Sequence, residues 1–109
     1  MNRQWRGKMR HLGALRGSGT LRCGDVLIGA ADYEIDCFCG KPGEVVGSGE
    51  IRMAPAELAN ALGRQNLELT TDDGKVLALR FSGGRQNGGS GAAHADIVGG
   101  LPAEDHWRR

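Results

Sequence analysis

With 109 residues, a net charge of +1 and an apolar share of 39%, the chain has the length and composition of one small globular domain. Its 19 glycines, well over twice the usual share of about 7%, argue against a helical bundle, and 5% aromatic residues leave a modest, aliphatic core. No run of about 18 apolar residues is present to span a membrane, and three prolines without a glycine at every third position exclude collagen.

The charge is spread unevenly. Met1 to Gly24 carries six basic residues and no acid, whereas the chain from Asp25 onward carries eight basic and thirteen acidic residues. Residues 1–18 read as a basic tail, and MRHLGALRGSG from Met9 reads as an N-terminus equally well. Arg3, Trp5, Arg6, Lys8 and Arg10 mix cations with an aromatic ring, a composition suited to phosphate contacts and base stacking. Nucleic-acid binding through this tail is therefore one expectation; a solubilising arm is the plainer one. No apolar stretch follows the basic residues, so no secretory signal is expected, and three cysteines, an odd number, read as reduced thiols in a cytoplasm.

The folded domain is expected over 19–102. TLRCGDVLI carries a hairpin signal, with Gly24-Asp25 as a two-residue loop pairing Cys23 with Val26 and Leu21 with Ile28. Tyr33, Ile35 and Cys37 then share one face and Asp32, Glu34 and Asp36 the other, the period of a half-buried strand. Ile28 and Tyr33 differ in parity, so a β-bulge is predicted at Gly29-Ala30-Ala31. GKPGE forms a turn, VVGSGEIRM a third strand, and Pro55 opens a helix over about 55–62. Leu58 and Leu62 lie one turn apart on that helix, Gly63 suits its left-handed end, and both leucines are expected to plug one end of the sheet.

LELTTDDGKVLALRF is a second hairpin whose loop length can be argued. A two-residue loop at Asp73-Gly74 would put Leu67 on the face of Arg80. A three-residue loop, Asp72-Asp73-Gly74, pairs Leu69 with Leu77 and Leu67 with Leu79 and gathers every leucine on one side. A glycine-rich connection at 82–91, a last strand over 92–102 and a charged tail at 103–109 complete the chain. The expected fold is mainly β: a small antiparallel β-barrel or strongly curled sheet of about six strands with one short α-helix.

Three groupings invite chemical readings. Cys37 and Cys39 lie two apart on a strand, roughly 6.5–7 Å between Cα atoms, at or beyond the reach of a disulfide. A thiol-ligated metal would need Cys23 and a histidine such as His94 to join them from a distance; packing is the favoured reading, since unpaired cysteine is among the most buried residue types. His94 and Asp96 share a strand face, a spacing that could orient an imidazole, but no nucleophile stands in a recognisable setting. Asp32, Glu34 and Asp36 could offer oxygen ligands, yet such a row is more often hydrated or paired across the sheet. No catalytic set and no cofactor is implied. The expectation is a non-enzymatic binding or interaction module, with a protein partner or a second copy docking through a strand edge and no membrane contact.

Overall fold

The computed structural model describes residues 10–40, 44–82 and 91–107. These form β1 (Arg10–Cys23), β2 (Val26–Cys39), β3 (Val45–Arg52), helix α1 (Pro55–Ala61), β4 (Leu67–Thr71), β5 (Val76–Phe81), β6 (Ala92–Gly99) and a 3-10 turn (Glu104–Trp107). The six strands pair antiparallel throughout and close into a barrel in the order β1-β2-β3-β6-β5-β4. Closure comes from the second half of β1, where Gly19–Cys23 pair with Leu67–Thr71 of β4.

The core is aliphatic, as the composition requires. Leu21, Ile35, Ile51, Leu58, Leu67, Leu69 and Leu77 are fully buried inside the barrel. The β4–β5 hairpin has the register demanded by its leucines, Leu67 opposite Leu79 and Leu69 opposite Leu77. Its loop turns at Gly74, whose φ of 95° lies in the left-handed region that a side chain would strain. Thr71 clasps the loop: its N–H donates to the Lys75 carbonyl at 2.8 Å, and its hydroxyl accepts the Lys75 N–H at 2.9 Å.

Asp73 lies within the same loop. Its carboxyl is lowered to about 2, first by the hydrogen bond from Lys75 Nζ at 2.7 Å and then by the one from the Thr71 hydroxyl. The folded chain thus favours the ionised form. This contribution is complete above the ordinary carboxylate value of about 4 and is lost as pH falls towards 2. Asp73→Asn is expected to flatten the acid limb of the stability curve between those limits, measured by circular dichroism against pH. An unchanged limb would refute this role.

Three expectations need correcting. Residues 10–18 are not tail but the first half of β1, paired along the second half of β2. Their alternation is hard to see in the sequence because the inward positions include Gly13, Gly17 and Gly19, which have no side chain to mark them. The β2 bulge lies one position earlier than expected: Arg22 faces Leu27 and Leu21 faces Gly29, so Ile28 is the extra residue and turns inward. Leu21 therefore does not oppose Ile28, although Cys23 does oppose Val26. Finally, β6 ends at Gly99, and the stretch expected as a charged tail contains a 3-10 turn that lays the Trp107 ring over Gly13 of β1.

Helix α1 closes one barrel end with Leu58 and Ala61 buried, while Leu62 packs half-buried against the same core. No helix of the described residues is long and apolar enough to cross a membrane. The GKPG turn at 40–43 and the glycine-rich connection at 82–91 fall largely outside the described residues.

Candidate functional site

The two halves of β1 have different neighbours. Gly19–Cys23 lie between β2 and β4, but from Gly13 to Gly17 the strand pairs with β2 alone. The ladder towards β4 stops where the Asp72 N–H donates to the Ser18 carbonyl at 3.0 Å, so Ser18 points away from β2. In an antiparallel pair, successive residues direct their backbone groups to opposite sides. Arg16 and Ala14 consequently turn their N–H and C=O groups the same way as Ser18, where no strand of the described residues meets them. The open stretch has sharp limits. At one end stands the β4–β5 loop, and at the other a register shift between His11 and Gly13 marks a bulge at Leu12. Between them lie Gly13, Ala14, Leu15, Arg16 and Gly17, with no proline and no inward charge to blunt the edge.

Side chains on the outer face hold this strand flat against β2. Arg16 Nη2 lies 3.2 Å from Glu34 Oε2, the Ser18 hydroxyl donates to Asp32 Oδ1 at 2.7 Å, and His11 Nε2 lies 3.2 Å from Asp36 Oδ1. His11 also meets the Phe38 ring edge-on, with centroids 5.2 Å apart. Asp32, Glu34 and Asp36 are thus each engaged by a partner on β1. Glu50 stands opposite Glu34 and is held by Arg52 at 2.9 Å. Exposed pairs of this kind contribute about 0–1 kcal/mol each, enough to set orientation rather than stability. On the inner face Leu15 is half-buried beside Ile35, Gly13 lies under Trp107, and Gly17 lies under the Tyr33 hydroxyl. The Trp107 indole nitrogen is buried without a hydrogen-bond partner among the described residues.

The cysteines are dispersed. Cys23 and Cys39 sit at opposite ends of the β1–β2 ladder, and the Cys23 thiol donates to the Gln65 carbonyl at 3.1 Å. Cys37 points into the core, where burial, with a smaller push from Asp36, raises its thiol to about 11. His94 is exposed on β6, opposite Glu50 and 3.7 Å from Asp96. Among the described residues no group of three or more His, Cys, Asp or Glu side chains is placed to hold a metal ion. A protonated thiol is a poor nucleophile, so iodoacetamide at pH 8 is expected to leave Cys37 unmodified in the native protein and to label it fully in urea. Equal labelling in both states, read by peptide mass spectrometry, would contradict its burial. Of the basic candidates, Arg10 begins β1 and Arg3, Trp5, Arg6 and Lys8 lie outside the described residues.

A groove opens where β3 and β6 part. Their ladder ends at Gly47 and Ile97; beyond it the strands diverge around a space of about 570 Å³ lined by Val45, Val46, Val98, Leu101 and Pro102. Its mixed polar and apolar walls could receive a side chain of a partner, but only Val45 and Val46 of β3 extend beyond the ladder, too short a stretch to offer a row of backbone groups. Of the two features, the β1 edge offers the longer row of backbone groups that no strand of the described residues meets. Sequence reasoning did not find it, although a signal exists: odd positions from 13 to 21 read Gly, Leu, Gly, Gly, Leu, and even positions from 14 to 22 read Ala, Arg, Ser, Thr, Arg. That is the period of a strand, muted by glycine. The chain matches no protein-family model, no curated protein and no solved structure.

Proposed function

We propose that this barrel is a non-enzymatic interaction module that captures an extended polypeptide by strand addition at the β1 edge. The observation that carries the reading is the backbone of Ala14 and Arg16, turned away from β2 towards no other described strand. An incoming strand supplies the missing partners, gaining main-chain hydrogen bonds worth about 0.5–1.5 kcal/mol each. The solid core supports the same reading, since the barrel interior is filled by side chains and recognition is left to its surface. The His94–Asp96 pair lies exposed on an outer sheet face, a setting that excludes no water.

Amide hydrogen exchange at low protein concentration tests the reading directly. Ala14 and Arg16 are expected to exchange within the dead time, while Leu15, bonded towards β2, is protected. Protected amides at Ala14 and Arg16 in the isolated monomer would mean that the edge is already covered, and the proposal would fall.

A further inference from the structure

Resting on that reading, we infer that the strand received by the β1 edge is β1 of a second copy of this chain, antiparallel and centred on Leu15. The limits of the open stretch carry the argument. The β4–β5 loop stops it at one end and the Leu12 bulge at the other, leaving Gly13–Gly17 with Leu15 at the middle. The two residues whose backbone groups face outwards, Ala14 and Arg16, lie one position on either side of Leu15. A two-fold axis through Leu15 therefore sets Ala14 of each copy opposite Arg16 of the other, and both residues exchange N–H···O=C bonds without any shift of register.

Side chains agree with this register. On the outer face Arg16 is opposite Glu34, and Ala14 is opposite Asp36. Across the axis the row becomes Glu34, Arg16, the partner's Ala14, the partner's Asp36, repeated in reverse by symmetry. With strands about 4.8 Å apart, each arginine stands between its own Glu34 and the second copy's Asp36, with only a methyl group in the way. Across the axis no like charges are directly opposite. On the inner face Leu15 meets its own counterpart beside Ile35, and Gly13, covered by the Trp107 ring, faces the second copy's Gly17, covered by its Tyr33 hydroxyl. An unrelated acidic strand would satisfy the arginine as well, but nothing in the edge favours it over a copy whose charges already alternate in register.

Sedimentation velocity from about 1 µM to about 1 mM is the first test, with exchange of the Ala14 and Arg16 amides followed across the same range. A monomer–dimer equilibrium is expected, with both amides gaining protection as dimer forms. Ala14→Pro removes a donor at a position that makes no bond to β2, so the fold tolerates it; self-association should weaken by about 100-fold. Arg16→Glu keeps the backbone whole and places a carboxylate between Glu34 and Asp36 of the second copy, with about tenfold weakening expected. Leu15→Cys reports register: opposed residues at a position not bonded across the axis have Cα atoms about 4.5 Å apart, within disulfide reach, so a covalent dimer should form under mild oxidation where the wild type forms none.

A dimer indifferent to both edge substitutions, or one that does not cross-link through Leu15→Cys, overturns this arrangement. A monomer at every concentration with fast-exchanging edge amides overturns self-pairing alone and leaves the edge open to a different polypeptide. A monomer with slow edge amides overturns the strand-addition reading as well.

Discussion

Alanine in place of Gly49 is expected to lower the stability of the barrel by about 3 kcal/mol or more, the largest effect of any small substitution in the sheet. Gly49 lies opposite Ile35 on β2 and Ala95 on β6. A methyl group there would press onto the Glu34 carbonyl oxygen and come within 2.8 Å of the Ile35 Cα, so the obstruction is backbone and cannot rotate away. Relief requires β2 and β3 to separate, which also disturbs Ile35 and Ile51, both fully buried. For a domain whose total stability is about 5–15 kcal/mol, such a loss is severe. Urea unfolding followed by circular dichroism measures it, with Ser48→Ala as the neighbouring control, expected within about 0.5 kcal/mol of the wild type. A Gly49→Ala variant as stable as that control would show that the β2–β3 approach is looser than described.

Truncating the two leucines of helix α1 should have unequal consequences. Leu58 is fully buried and inserted into the core, and its removal to alanine leaves a cavity that rigid strands cannot fill; the expected cost is about 3–4 kcal/mol. Leu62 packs against the same cluster only half-buried, at the residue where the helix ends, and its truncation should cost about 1 kcal/mol. The distinction is mechanical. A seven-residue helix is too short to persist by itself, so it stays folded only while its buried face is held. Loss of Leu58 should therefore release α1 and expose Met53 and Ala61, whereas loss of Leu62 should leave it docked. Thermal melts give the ranking: the Leu58→Ala midpoint should fall by at least twice as many degrees as that of Leu62→Ala. Equal shifts would mean that both leucines plug the barrel alike.

How legible the fold was depends on which residues announce a face. β2 could be read because Tyr33, Ile35 and Cys37 alternate with Asp32, Glu34 and Asp36, and the register of β4 against β5 followed because only one loop length gathers the leucines. Those are local facts: period and turn geometry act within a dozen residues, and the side chains that report them are large. The acidic row and Cys37 were placed on the strand correctly for the same reason, Cys37 inside and the carboxylates outside, whereas Cys39, which the pattern reads as the start of the turn, ends β2 and is buried.

What the sequence by itself determined was thus the class of the domain, the short helix at Pro55 and the two hairpins, β1–β2 and β4–β5. Tertiary structure alone decided how far β1 extends, which strand closes the barrel and where an edge is left open. Closure joins Gly19–Cys23 to Leu67–Thr71, more than forty residues away, and no local pattern encodes so distant a partner. The candidate site arises from the same event. β4 is shorter than β1 and ends in its loop beside Ser18, so the remaining half of β1 keeps backbone groups that no strand of the described residues meets.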